Sequence, residues 1–126
     1  MIVGVGVDAV DIERFRTSLA RTPSMRERLF VEEELAYVAP KVDPVPSLAA
    51  RFAAREAVMK AMGLGLGSFG FHEVWVTRDP SGRPALRVTG RARELAVDRG
   101  ITHWHLSITH SDIVAIAHVV AEHQPA

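Results

Sequence analysis

Three groups of residues in this 126-residue chain have side chains and spacings suited to chemistry. The first is Asp8 with Glu56 and Lys60. Asp8 follows the β-branched run Ile2 to Val7, so it stands at the carboxyl end of a predicted strand, where an acid is either exposed for chemistry or acts as a cap. Glu56 and Lys60 are four residues apart in an Ala-rich helical stretch and project from one side of it, beside an apolar stripe of Leu48, Phe52, Met59 and Met62. From spacing alone they read as a surface ion pair worth ~0.2–0.5 kcal/mol. Against that, Lys41 and Lys60 are the only lysines among fifteen basic residues, so a chain that otherwise uses arginine keeps a compact, rotatable ammonium at this position.

The second group is on one strand. His103, His105, Ser107 and Thr109 alternate onto one face, opposite Trp104, Leu106 and Ile108. His-x-His on a strand can bind a metal, but no third ligand follows at a known spacing, and the pattern equally describes a polar solvent face. His110 ends the strand beside Ser111 and Asp112, where backbone donors can meet an anion or simply form a turn. The third group is Arg14, Arg16, Arg21, Arg26 and Arg28, close to Phe15, Met25 and Leu29. Such a run is either a solvated helix face or a strip that docks an acidic partner helix.

Several familiar signatures are missing. Gly4-x-Gly6-x-x-Ala9 fits a dinucleotide fingerprint in letters, but only three residues precede it and the motif must follow a strand. The chain has no P-loop, no Gly-x-Ser-x-Gly elbow, no His-Glu-x-x-His helix and no EF-hand loop.

The elements that must carry these groups can be read from periodicity. After the first strand, Ile12, Phe15 and Leu19 mark one face of a helix that starts near Asp11 and stops at Pro23. Short helical stretches follow at Met25 to Phe30 and from Glu32 to Tyr37, then a stiff connector with Pro40, Pro44 and Pro46. Ser47 is the expected N-cap of a helix over Leu48 to Met62, closed by Gly63 as a left-handed C-cap. A glycine-rich loop to Gly70 leads into a hairpin of Val74 to Thr77 and Ala85 to Val88. Thr89 is the expected cap of a helix from Gly90 to Arg99, and strands over His103 to Thr109 and Ile113 to Ala121 close the chain. Helices early and strands late predict an α+β fold with a mainly antiparallel sheet packed with helices, in a single domain spanning residues 1–126.

Composition narrows the class. A hydrophobic content of 48% and a charged content of 24% belong to an ordinary globular chain, and this length is enough for one core. With no cysteine, disulfides and thiolate metal sites are excluded, in keeping with a reducing compartment. Fifteen basic and fifteen acidic residues sum to zero, which argues against a nucleic-acid or membrane coat. No apolar run nears the ~20 residues of a membrane span, and the expected location is the cytoplasm.

Taken in order, three motifs are recognisable. Gly4-Val5-Gly6-Val7-Asp8-Ala9-Val10-Asp11-Ile12-Glu13-Arg14-Phe15 resembles the N-terminal signature of the bacterial holo-acyl-carrier-protein synthases, the short class of 4'-phosphopantetheinyl transferases. The stretch Arg51-Phe52-Ala53-Ala54-Arg55-Glu56-Ala57-Val58-Met59-Lys60-Ala61-Met62-Gly63 resembles their second motif, and Leu106-Ser107-Ile108-Thr109-His110-Ser111 their third. Together the motifs cover nearly the whole chain.

The resemblance implies a 4'-phosphopantetheinyl transferase-like fold and transfer of the phosphopantetheine arm from coenzyme A to a serine of an acyl carrier protein, with release of adenosine 3',5'-bisphosphate. By the same resemblance Mg²⁺ is the cofactor, with Asp8 and Glu56 as its ligands; Lys60 contacts the pyrophosphate, and Arg51 and His110 lie near the 3'-phosphate of coenzyme A. The backbone of Gly63 and Gly65 allows close approach of the substrate, and Arg14, Arg21, Arg26 and Arg28 dock the acidic carrier protein. A metal-bound water, Glu56 and Lys60 are all candidates to take the serine proton. The family's homotrimers imply that His110 serves a neighbouring subunit's coenzyme A. The chain departs from the family in two places: Arg55 replaces the usual lysine of the second motif, and the loop after Met62 differs from the commoner Gly-Thr-Gly. Two rival readings remain, a non-catalytic coenzyme A binder and a metal enzyme built on His103 and His105. The carrier protein, of fatty-acid or polyketide type, is left open.

Overall fold

The computed structural model describes residues 1–126. In chain order its elements are β1 (Ile2–Asp11), α1 (Ile12–Arg21), α2 (Met25–Leu29), α3 (Glu32–Val38), α4 (Val45–Ala61), a 3-10 turn over Phe71–Glu73, β2 (Val74–Arg78), β3 (Pro84–Val88), α5 (Gly90–Asp98), β4 (His103–His110) and β5 (Val114–Glu122). Strands β1, β5 and β4 form a three-stranded sheet in that order, and β2 pairs with β3 as a separate hairpin. Every pairing is antiparallel, as the α+β reading expects.

Helix α4 is the centre of the molecule. Twelve of its seventeen residues are buried, because it lies across one face of the large sheet and is covered on its other sides by α1, α3 and β2. Its alanines make that contact short. Gly4 and Gly6 on β1 face α4 so closely that a Cβ on either would lie 1.8 or 1.9 Å from the carbonyl oxygen of Ala61 or Ala57. The two glycines of the N-terminal signature are therefore required by strand-to-helix packing. Ala53 to Met62 pack into one apolar cluster with β2, α5 and β5, while Leu48 to Ala50 pack into a second with α1, Leu29 and Phe30.

Three local expectations need correction. Strand β1 runs three residues past Asp8, which is thus inside the strand, opposite Ala117 of β5. Helix α4 begins at Val45, before Ser47; Asp43 Oδ1 accepts from the Val45 N–H, and Pro46 is tolerated in the first turn, where no intrahelical partner for its nitrogen exists. At α5 Thr89 takes the expected N-cap position, but its hydroxyl donates to the Glu73 carbonyl, and the Glu73 carboxylate accepts from the N–H groups of Arg91 and Ala92 instead. Gly63, by contrast, takes the left-handed conformation expected of it, with φ +70°.

The face of the large sheet that points away from α4 has no covering element. Val5 and Val7 of β1 are 54% and 55% exposed, beside Ile116, His118 and Val120 of β5 and His105, Ser107 and Thr109 of β4.

Candidate functional site

Side chains suited to chemistry collect on two flanks of α4. On the β1 flank an open pocket is lined by Asp8, Asp11, Arg14, Ser18, Phe52 and Glu56, among others. Alternation along β1 turns Asp8 toward α4 together with Gly4 and Gly6, and the close approach at those glycines brings Glu56 and Lys60 alongside it. Lys60 Nζ donates to Asp8 Oδ1 at 3.0 Å and to the Val7 carbonyl at 3.1 Å. The expected Glu56–Lys60 surface pair is not formed; the ammonium crosses to the strand instead. It stays 53% exposed, and one of its three N–H donors is left over.

Glu56 is half-buried with no donor to its carboxylate. Burial raises its pKa above the usual glutamate value, the nearby Asp8 charge raises it further, and Lys60 opposes both. Asp8 and Glu56 together offer a donor set of hard carboxylate oxygens suited to a divalent cation. No group of three His, Cys, Asp or Glu side chains is disposed to hold a metal, so His103 and His105 lack a third ligand. His105 Nε2 pairs with Glu122 Oε1 at 2.9 Å, and His103 Nδ1 with Thr102 Oγ1 at 2.8 Å.

On the β4 flank a second pocket brings Arg51 and His110 together, although 59 residues separate them in sequence. Arg51 is 2% exposed; its Nη1 donates to the Ser47 carbonyl at 3.2 Å and its Nε has no partner. Burial lowers its pKa, with the Glu34 charge opposing that and Arg78 adding to it. Sequence reasoning missed the rest of this pocket. Tyr37 carries three cations, with Arg51 Cζ 4.5 Å, Arg78 Cζ 4.6 Å and Lys41 Nζ 5.1 Å from its ring centroid. No carboxylate lines the pocket. The one available signal was the rarity of lysine, which already set Lys41 apart.

The two pockets share no lining residue. Arg51 and Glu56 are roughly 140° apart around α4, and β5 lies between the strands that carry Asp8 and His110. Gly63 and Gly65 follow the end of α4 on open backbone, with no atom near enough to touch an added Cβ.

Among the arginines, Arg14 lines the Asp8 pocket, Arg21 and Arg28 are exposed, and Arg26 is half-buried. Arg16 leaves the strip. It forms a fork to Asp43 at 2.8 and 2.9 Å and a bond to Glu13 at 3.1 Å, contacts that raise its pKa and lower that of Asp43. Arg55, in the place of the family's lysine, lies in neither pocket; it is fully buried against Glu34.

Comparison with known proteins adds an independent finding. Residues 4–118 match the model of the 4'-phosphopantetheinyl transferase superfamily. The chain is 51% identical to the holo-acyl-carrier-protein synthase of Micrococcus luteus, over all of this chain and 96% of that one. Among solved structures, the holo-acyl-carrier-protein synthase of Neisseria meningitidis superposes with TM-score 0.87 at 31% identity, covering 97% of this chain and 99% of that one. The enzyme of Bacillus anthracis, solved in complex with CoA (3',5'-ADP), superposes with TM-score 0.81 at 32% identity, covering 98% and 99%.

Proposed function

The chain belongs to the holo-acyl-carrier-protein synthases of the 4'-phosphopantetheinyl transferase superfamily, and we propose from its two pockets how it moves the phosphopantetheine arm of coenzyme A onto a carrier serine. The observation that carries this reading is the meeting of Asp8, Glu56 and Lys60 on one flank of α4.

Asp8 and Glu56 would hold Mg²⁺, and the ion would supply positive charge against the pyrophosphate oxygens. The serine oxygen attacks the β-phosphorus, the bond to the bridging oxygen breaks, and adenosine 3',5'-bisphosphate leaves. Alignment and charge neutralisation carry most of the rate in such a transfer. Lys60, fixed by Asp8 and the Val7 carbonyl, turns its remaining N–H to a phosphate oxygen. Glu56, which lines the Asp8 pocket, and Lys60 beside it are the chain's own groups placed to take the serine proton.

Arg51 and His110, joined by Lys41, Arg78 and Tyr37, form the cradle for the 3'-phosphate. Its separation from Asp8 across α4 supports an active site shared between subunits, in which one subunit's cradle faces its neighbour's Asp8 and Glu56. The bare face of β1 and β5, with exposed Val5 and Val7, supports assembly of subunits, which the family resemblance makes a homotrimer. Gly63 and Gly65 lend open backbone to the substrate, while Arg14, Arg21, Arg26 and Arg28 receive the acidic carrier beside the Asp8 pocket. The two apolar clusters meet at α4, which supports one domain over residues 1–126. No helix is long and apolar enough to cross a membrane, in keeping with work in the cytoplasm.

Incubation with coenzyme A, Mg²⁺ and apo carrier proteins tests this by mass spectrometry. The phosphopantetheine mass should appear on a carrier with the native chain and be absent with Glu56→Gln or Asp8→Asn. Full activity in either variant would overturn the assignment.

A further inference from the structure

The most deeply buried charges in the molecule lie outside both pockets. Arg55 and Glu34 are 0% and 1% exposed. Arg55 Nη2 donates to Glu34 Oε1 at 2.5 Å and Nη1 to Glu34 Oε2 at 2.9 Å, while Nε reaches the Phe71 carbonyl at 2.8 Å and Nη1 also reaches the Arg51 carbonyl at 3.2 Å. Glu34 accepts in addition from the N–H groups of Val31 and Val76, each at 3.1 Å. Withdrawing two such charges from water is expensive, and well-packed apolar residues of similar volume often hold a fold together equally well. What the pair provides that apolar residues cannot is direction: it ties α3, α4, β2 and the 3-10 turn to one another at fixed angles.

Three of those elements, α3, α4 and β2, carry the Tyr37, Arg51 and Arg78 cluster of the cation cradle. Tyr37 lies one turn beyond Glu34 on α3, Arg51 one turn before Arg55 on α4, and Arg78 two residues beyond Val76 on β2. Arg51 and Arg78 stack on the Tyr37 ring from different elements, so a shift of any one of the three opens the cluster. Arg78 repels Arg51, and Glu34 offsets the Arg51 charge from behind without entering the pocket.

We infer that Glu34 and Arg55 are positioning residues that set the recognition of the coenzyme A 3'-phosphate, by holding Tyr37, Arg51 and Arg78 in register without touching the substrate. This rests on the cradle reading above, and the experiment separates the two. Transfer is measured with coenzyme A and with dephospho-coenzyme A, which lacks the 3'-phosphate, for the native chain, Arg55→Lys, the double variant Glu34→Met/Arg55→Met and Arg51→Ala. Folding of each is checked by its thermal melt.

Arg55→Lys keeps the charge but loses the fork. It should raise the KM for coenzyme A about fivefold with kcat unchanged, and leave dephospho-coenzyme A within twofold of native; the double variant should lower the ratio of kcat/KM for the two substrates about tenfold. Equal losses with both substrates, or an unchanged ratio in Arg55→Lys or in a folded double variant, would overturn the positioning role. If Arg51→Ala leaves the ratio unchanged, the cradle reading fails; if Arg51→Ala collapses it while Arg55→Lys does not, only the positioning role fails.

Discussion

Gly6 of β1 lies against Ala57 of α4 so tightly that a Cβ at Gly6 would stand 1.9 Å from the Ala57 carbonyl oxygen. Because that atom belongs to helix backbone, no side-chain rotation can relieve the clash, and strand and helix must part. Asp8 is two residues along the same strand face, and Glu56 adjoins Ala57. Gly6→Ala is therefore expected to lower stability by about 1–3 kcal/mol, the usual cost of overpacking, and to reduce transfer by more than the loss of folded protein explains. Thermal melts paired with assays well below the melting temperature measure the two effects separately. Retained activity in a folded Gly6→Ala variant would show that the short contact does not set the Asp8–Glu56 geometry.

Glu56 should cost the free protein stability. Its carboxyl has a pKa raised in the fold by burial, then by Asp8, so folding takes up protons there and stability falls as pH rises through that raised value. Glu56→Gln removes this penalty. In chelator at neutral pH the variant should melt above the native chain, with the difference vanishing below the ordinary glutamate pKa. Adding Mg²⁺ should raise the native melting temperature and leave that of the variant unmoved. An Mg²⁺-induced shift of native size in Glu56→Gln would remove the residue from the ligand set.

How far the sequence discloses such sites depends on whether their parts share an element. Glu56 and Lys60 were legible because helical spacing fixes their side of α4, and Asp8 because an acid ends a β-branched run, although its place inside β1 and its bond to Lys60, 52 residues away, were not. The cradle was half legible. Arg51 and His110 belong to recognisable motifs, whereas Tyr37, Lys41 and Arg78 join them only through packing of α3 and β2. The start of α4 differs from expectation for a similar reason: Ser47 is a good capping residue in isolation, but Asp43 accepts from the Val45 N–H, Pro44 takes the N-cap position and Pro46 fits the first turn. Arg16 looked like its neighbours until Asp43 reached it from 27 residues away.

Glu73 carries a prediction about acid stability. Burial pushes its carboxyl upward, but N–H donors from Gly70, Ala92 and Arg91 outweigh that and hold its pKa below the usual value. A carboxyl depressed in the fold adds stability that is complete above its unfolded pKa and is lost as pH falls through the folded one. Glu73→Ala also strips the N-terminus of α5 of its cap, a loss of about 1 kcal/mol, or roughly 4 °C in melting temperature. The variant should melt lower than the native chain at pH 7 and converge with it in acid. A constant gap from pH 7 down to pH 2 would mean that the charge of Glu73 is not what the donors hold.

The separation of the two pockets across α4 leads to a complementation test. If each working site takes Asp8 and Glu56 from one subunit and the cradle from another, Asp8→Asn and His110→Ala disable opposite halves. Each homotrimer should be weak or inactive. Mixed trimers, formed by co-expression, should contain sites in which an intact Asp8 meets an intact His110, and these should recover up to about a quarter of native activity on random assembly, since each half must independently come from the right subunit. The bare sheet face supplies the control. Val5 and Val7 stand exposed on it, and Val7→Asp would place a carboxylate where a partner's apolar surface must be buried, a desolvation cost that disfavours assembly. Sedimentation should then report monomers, and adding Val7→Asp to both chains should abolish the recovery. Full activity from the Val7→Asp monomer would place both halves of the site within one chain.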